Sequence, residues 1–238
     1  MELVKQGSTD LVAPPANWGA EGLSTRDLII ARVRTLQAIS GDVSNGKGSP
    51  GDMLNSITGE MLAKKGQPLE LLPILSLRFW TVYEKVGVKT EYRDKYVMTE
   101  SNQDQPKEFV SEDGKMMLRQ QCLTFLCLQP SKLTKFPLFV DFQRTNLQAG
   151  RNLSTIMQEN SFAGQPGCAR TFSLVTEVTT YNKNSWFIQK VSPVRNSTEE
   201  EQVACFKWYQ TFKAKEAVQT DEEIPSTGTD AATDNGVF

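Results

Sequence analysis

Residues 69–88, LELLPILSLRFWTVYEKVGV, constrain the fold more than any other stretch of this 238-residue chain. Twenty residues rich in apolar, β-branched and aromatic side chains suit a pleated, half-buried surface, and they read as one long strand. The segments MMLRQQCLTFLCL (116–128) and FPLFVDF (136–142) have the same character and read as further strands. MLNSITGEML (53–62) breaks at Thr58 and Gly59, as a tight hairpin does. The clearest hairpin lies at 170–194, where ARTFSLVTEVTTY and SWFIQKVSPV flank the turn residues Asn182, Lys183 and Asn184.

Helical signals are fewer. STRDLIIARVRTLQAIS (24–40) places Leu28, Ile29, Arg32, Val33 and Leu36 at helical spacing, with Ser24 or Thr25 as cap, and predicts a helix. Glycines and a proline then make SGDVSNGKGSPGD (40–52) a loop. TNLQAGRNLSTIMQENS (145–161) predicts a second helix despite Gly150. A third begins at Thr198, which forms a capping box with Glu201; Glu199 and Glu200 sit at the positive end of its dipole, Lys213 and Lys215 at the other. In this helix Phe206, Tyr209 and Phe212 are expected to form the packed stripe. Residues 99–114 are polar and read as an exposed connection.

Strands therefore dominate without the strand-helix alternation of a parallel sheet. The expected fold is α+β, mainly antiparallel β-sheet with about three helices, not a standard parallel α/β fold. The domain plan is a flexible arm at 1–23, one α+β nucleic-acid-binding domain at 24–215 and a disordered acidic tail at 216–238 ending in Phe.

Composition narrows the chemistry. With 39% hydrophobic and 23% charged residues the chain is ordinary globular material, long enough to bury a core without disulfides. It has no histidine, which removes serine triads, Cys/His dyads and His-based metal sites. Cys122, Cys127, Cys168 and Cys205 form no CxxC pair and read as small buried hydrophobes; on a strand, Cys122 and Cys127 face opposite sides. Gly41–Gly48, GDVSNGKG, has the glycine and lysine spacing of a phosphate-binding loop, but Gly48 stands where a Ser or Thr hydroxyl holds magnesium. Asp52, Glu60 and Asp141 show no acid-base or metal-cage spacing. The expectation is a binding protein, not an enzyme, with no cofactor and no metal. No signal-like start and no run of membrane-spanning length is present, so no membrane association is expected.

The formal charge of −2 conceals an uneven distribution. Six of the 28 acids lie beyond Lys215, where there is no Lys or Arg, leaving residues 1–215 with 26 basic against 22 acidic residues, a charge of about +4. The tail, DEEIPSTGTDAATDNGVF (221–238), either serves as a solubilising terminus or folds over a basic groove and recruits partners through Asp221, Glu222, Glu223 and Phe238. It resembles the acidic tails of single-stranded DNA-binding proteins. From Lys132 to Lys215 eleven basic residues face six acids and alternate with aromatics, the pairing of cations and π faces that single strands require, although most such aromatics are core. RFWTVYEKVGVKTEYRDKY (78–96) is a second such cluster, with Tyr92 and Lys95 among its members. The candidate nucleic-acid contacts are Arg78, Trp80, Tyr83, Lys85, Lys89, Arg93, Lys132, Lys135, Arg144, Arg151, Tyr181, Lys183, Trp186 and Lys190. In SWFIQKVS, Trp186, Ile188 and Lys190 share one face and Phe187, Gln189 and Val191 the other, so one aromatic is expected in the core and its neighbour outside.

LQAIS, GKGSPGDMLNSITGEML, LELLPILSLRFWTVYEK and FPLFVDFQRTNLQAGRNLSTI, taken in order, resemble bacteriophage single-stranded DNA-binding RNA polymerase cofactors of the Drc type over residues 36–195. The resemblance implies binding to single-stranded DNA, action at melted promoters, and recruitment of a phage RNA polymerase or other replication and transcription proteins. A location in the host cell cytoplasm and a homo-oligomeric state are the accompanying expectations. The rival reading is a virion or assembly component, or a protein adaptor, in which the aromatics make subunit contacts.

Overall fold

The computed structural model describes residues 29–87 and 89–213. The expected arm at 1–23 and the acidic tail, with Asp221, Glu222, Glu223 and Phe238, lie outside the described residues. In chain order the elements are β1 (Val33–Thr35), α1 (Gly41–Ser44), β2 (Met53–Asn55), β3 (Met61–Ala63), β4 (Leu69–Val86), β5 (Lys89–Val97), β6 (Glu108–Val110), β7 (Met116–Leu128), β8 (Leu138–Gln143), α2 (Leu147–Phe162), β9 (Arg170–Tyr181), β10 (Asn184–Asn196) and α3 (Glu199–Lys213). All strand pairings among named strands are antiparallel, so the fold is α+β as the sequence predicts.

The long strand is the organising element. β4 and β7 pair from Leu72↔Leu128 to Glu84↔Met117 and form a ribbon to which the other strands of the seven-stranded sheet attach. On the outer side of β4, β9 pairs with Leu69–Leu71 and β5 with Phe79–Val86. On the outer side of β7, β8 takes Cys122–Cys127 and β6 takes Met116–Leu118. β10 completes the hairpin with β9 through a two-residue turn, in which Asn182 (φ 47°) and Lys183 (φ 70°) both adopt the left-handed backbone that a type I′ turn needs. β1, β2 and β3 form a separate three-stranded sheet.

Strand alternation then gives the large sheet two faces. Leu69, Leu71, Phe125, Cys127, Val140, Phe142, Phe172 and Leu174 form one, covered by Ala149 and Leu153 of α2 and by Val33, Met53 and Ala63 of the small sheet. Leu72, Ile74, Leu126, Leu128 and Phe139 form the other, covered by Cys205 and Phe212 of α3. Cys122 and Cys127 do lie on opposite faces, and all four cysteines are buried. Gly150 lets α2 seat: a Cβ there would sit 2.7 Å from Phe142 Cβ, so the glycine inside this helix is a packing requirement.

Three expectations change. The described part of 24–40 is extended, not helical: Arg32 bridges Phe139 in parallel, the Phe139 amide donates to Ala31 O at 2.8 Å, and β1 pairs with β2. Its side chains alternate, with Ala31 and Val33 against the α2 side and Ile30 against the α3 side. Spacing that fits a helix was overridden by two available strand edges. The expected loop at 40–52 contains the one-turn helix α1 and follows an extended segment, and Lys47 is held by Asp42 at 3.1 Å. Of the expected exposed connection at 99–114, residues 99–107 are mostly exposed, but 108–110 form β6, and the connection is tied to the sheet: Trp80 Nε1 donates to Asn102 O at 2.9 Å, and Arg119 Nη1 donates to Pro106 O at 3.0 Å. In α3 the buried positions are Glu201, Cys205 and Phe212, with Trp208 between Phe136 (5.3 Å) and Phe212 (5.9 Å), while Phe206 is exposed. The capping box itself forms as expected, Glu201 N donating to Thr198 Oγ1 at 3.3 Å and Thr198 N to Glu201 Oε2 at 2.7 Å. No helix of the described residues is long and apolar enough to cross a membrane.

Candidate nucleic-acid interface

Past Leu77 the face that α3 covers continues along β4 as Phe79, Thr81 and Tyr83. Register places Cys122 and Gln120 of β7, Lys95 and Val97 of β5, and Asp141 and Gln143 of β8 beside them. The surface changes from aliphatic to aromatic and charged along a single strand.

Three cations lie over three rings of this face, one of them over Phe139 in the cluster that α3 covers. Arg32 stands 5.3 Å from the Phe139 centroid, Lys95 4.6 Å from Phe79 and Arg144 4.7 Å from Tyr83. Each ring holds its cation at the sheet surface by its quadrupole. Asp141 lies among them, accepting hydrogen bonds from Arg32 and Thr124 and pairing with Lys95 Nζ at 3.5 Å. Burial pushes the Asp141 carboxyl upward, but Arg32 and Lys95 outweigh it and hold the group below its ordinary value. Burial and the Asp141 charge push the neighbouring Cys122 thiol up to about 11.

Arg144 is fixed from several sides. It adopts a left-handed backbone (φ 51°), uncommon for a residue with a side chain, and donates to Gln120 Oε1 at 2.9 Å and to Thr90 Oγ1 at 3.3 Å. Tyr83 beneath it is buried and donates to Gln143 Oε1 at 3.3 Å; burial raises the Tyr83 pKa even against the Arg144 charge. Tyr92 meets Tyr83 edge-on at 6.2 Å and is 56% exposed. Two cations paired with one carboxylate, and a third over Tyr83 beside the partly exposed Tyr92 ring, offer donors to phosphate oxygens and a surface for a base.

The residues selected from sequence fall in several places, and some are not surface groups. Tyr83 and Arg144 belong to the face just described, with exposed Lys85 at its far end, while exposed Lys89, opposite Val86, lies on the other face; Lys85 pairs with Glu108 at 2.8 Å. Trp80 is 3% exposed beneath residues 99–107, and Tyr83 is a floor under Arg144, so neither offers a ring face to a base in this conformation. Arg93 is taken up by Glu84 (2.8 Å) and Glu91 (2.7 Å). Arg78 lines a cleft between α2 and α3, and Arg151 is exposed on α2. Lys132 pairs with Glu60 at 2.6 Å, near exposed Lys135. Tyr181 and Lys183 are exposed at the β9–β10 tip, Trp186 is half-buried and Lys190 exposed, while Phe187 is core, packed against Gly51 and under Lys65 at 5.0 Å.

Arg32 and Asp141 were not identified as contacts from sequence. Lys95 and Tyr92 lay in the recognised 78–96 cluster, and alternation along β5 was the available signal for Lys95. Nothing local marks Arg32, since its partner is 109 positions away. The other two carboxylates noted in the sequence have structural partners: Asp52 accepts from the amides of Ser49 and Lys65, each at 2.8 Å, and Glu60 holds Lys132.

Comparison with curated proteins and with solved structures finds no match for this chain. Residues 9–218, most of the chain, match the model of the Pam3 phage gp34-like protein family, and the chain belongs to that bacteriophage family.

Proposed function

We propose that this phage protein binds single-stranded DNA across the far half of the β4–β7–β8–β5 face and acts as a transcription cofactor that brings a viral RNA polymerase to melted promoters. The observation that carries the reading is the set of cation-ring pairs Arg32–Phe139, Lys95–Phe79 and Arg144–Tyr83, with the partly exposed Tyr92 beside them. Flat sheet faces with cations and exposed rings suit unpaired bases, because every base has a π face and every nucleotide a phosphate. The polymerase role rests on the resemblance of residues 36–195 to Drc-type cofactors and on the acidic composition of 221–238. Ultraviolet cross-linking to single-stranded oligonucleotides, followed by peptide mapping, tests the site: the adduct is expected on the β5 peptide that carries Tyr92. Adducts confined to the β9–β10 tip or to α2 would move the site elsewhere.

The rival reading, an assembly component or adaptor, is favoured by one observation. Phe162 at the end of α2 is 91% exposed and Phe206 on α3 is 57% exposed, which suits apolar contact with protein. Binding to nucleic acid that falls steeply with salt separates the two, since phosphate neutralisation releases counterions and apolar packing does not.

A further inference from the structure

A cleft of about 570 Å³ opens between α2 and α3, where β4 lies between its β9-paired and β5-paired segments. Its wall includes two cysteines, Cys168 in the short turn Gly167–Ala169 that leads into β9, and Cys205 in α3. Both belong to one apolar cluster with Leu72, Ile74 and Phe212. Nothing in the proposed DNA-binding role uses them.

We propose that Cys168 and Cys205 form a dithiol modification site that small disulfides such as oxidised glutathione convert to an intramolecular disulfide, tying α3 to the turn before β9. Geometry supplies three conditions: the two cysteines pack in one cluster, they line one cleft of about 570 Å³, and they sit on separate elements that a bond would join. Cys122 and Cys127 meet none of these, lying inside the central ribbon away from the cleft wall. Thiol chemistry adds an order of events. Proximity to Cys205 holds the Cys168 thiol below its ordinary value, while the Cys205 thiol is itself raised by Cys168 and by burial, so Cys168 is the sulfur that attacks first. Burial raises the Cys127 thiol and leaves it inert.

The reaction balances in two exchanges. Cys168 thiolate attacks one sulfur of glutathione disulfide; the glutathione S–S bond breaks and one glutathione departs as thiolate, leaving a mixed disulfide on Cys168. Cys205 then loses its proton and attacks the Cys168 sulfur, and the second glutathione departs. The two protein thiols lose two electrons and two protons, and the glutathione disulfide is reduced to two glutathione molecules.

The test is to equilibrate the full chain in glutathione buffers of rising oxidised fraction, quench, alkylate in denaturant and map peptides by mass. The expected result is loss of two alkylated thiols per chain, with one linked peptide pair containing Cys168 and Cys205, while Cys122 and Cys127 stay fully alkylated. In Cys205→Ser the reaction should stop at a glutathione adduct on Cys168. Four alkylated thiols at the most oxidising ratio, a linked pair with any other cysteine, or a folded Cys205→Ser without adduct would each overturn the proposal. The wild-type map decides the matter by itself if that variant fails to fold.

Discussion

Lys95 Nζ lies 4.6 Å from the centre of the Phe79 ring and 3.5 Å from Asp141 Oδ1, so one ammonium joins the aromatic floor of the sheet face to its carboxylate. Asp141 thereby sets how much positive charge the face presents. Arg32 on its other side is restrained in the same way.

Replacing Asp141 by Asn should therefore tighten single-stranded DNA binding at low salt by several-fold and steepen its salt dependence, because two cations lose their counter-charge. The variant should also be less stable at neutral pH. The folded Asp141 pKa lies below its unfolded value of about 3.9, so its stabilisation is present above that pH and is lost as pH falls through the folded pKa. Acid titration of unfolding should show a steeper loss below about pH 4 for wild type than for Asp141→Asn. Parallel curves would contradict the assignment.

Tyr92 and Tyr83 should separate binding from folding. Tyr92→Ala removes an exposed ring and is expected to weaken single-strand affinity by about 1–3 kcal/mol with little change in thermal midpoint. Tyr83→Ala removes a buried ring that supports Arg144, and is expected to cost stability first, by about 3–5 kcal/mol in a denaturant titration.

Trp80→Ala should behave as a core deletion, with a loss of about 3–5 kcal/mol by urea unfolding. Its lost bond to Asn102 should also expose residues 99–107 to limited proteolysis. A stable Trp80→Ala with weakened DNA binding would mean that this ring reaches the nucleic acid after all.

These cases show where the sequence was legible. β7 was readable over its whole length, 116–128, since strand propensity and burial agree along it, and the Thr198–Glu201 cap was readable because it is local. Trp80 was not, because its cover comes from residues 99–107, a polar and mostly exposed segment that meets it only through tertiary contact. Residues 29–40 carried apolar spacing compatible with a helix, and the edges of β8 and β2 decided otherwise. The candidate face mixes both kinds: Tyr83 and Arg144 stood out by type, whereas Arg32 and Asp141 meet only through tertiary pairing.

Glu201 ties α3 to the sheet, accepting from Arg195 Nη1 at 2.9 Å and Nη2 at 2.7 Å as well as from the Thr198 amide. Glu201→Ala should cost about 1–3 kcal/mol by thermal or chemical unfolding. The Arg195 hydrogen bond, together with the cap, lowers the Glu201 pKa, so this contribution also disappears as pH falls through the folded value. An unchanged acid transition in the variant would contradict the role given to the pair.

The central claim is that the open sheet face binds single-stranded DNA, and fluorescence anisotropy of labelled single-stranded and duplex oligonucleotides at two salt concentrations tests it most directly. The account predicts preference for the single strand, affinity that drops steeply with salt, and a large loss in the Arg32→Ala, Lys95→Ala, Arg144→Ala triple variant once its folding is verified. Absence of binding at low salt, or equal binding by wild type and the folded triple variant, would contradict it.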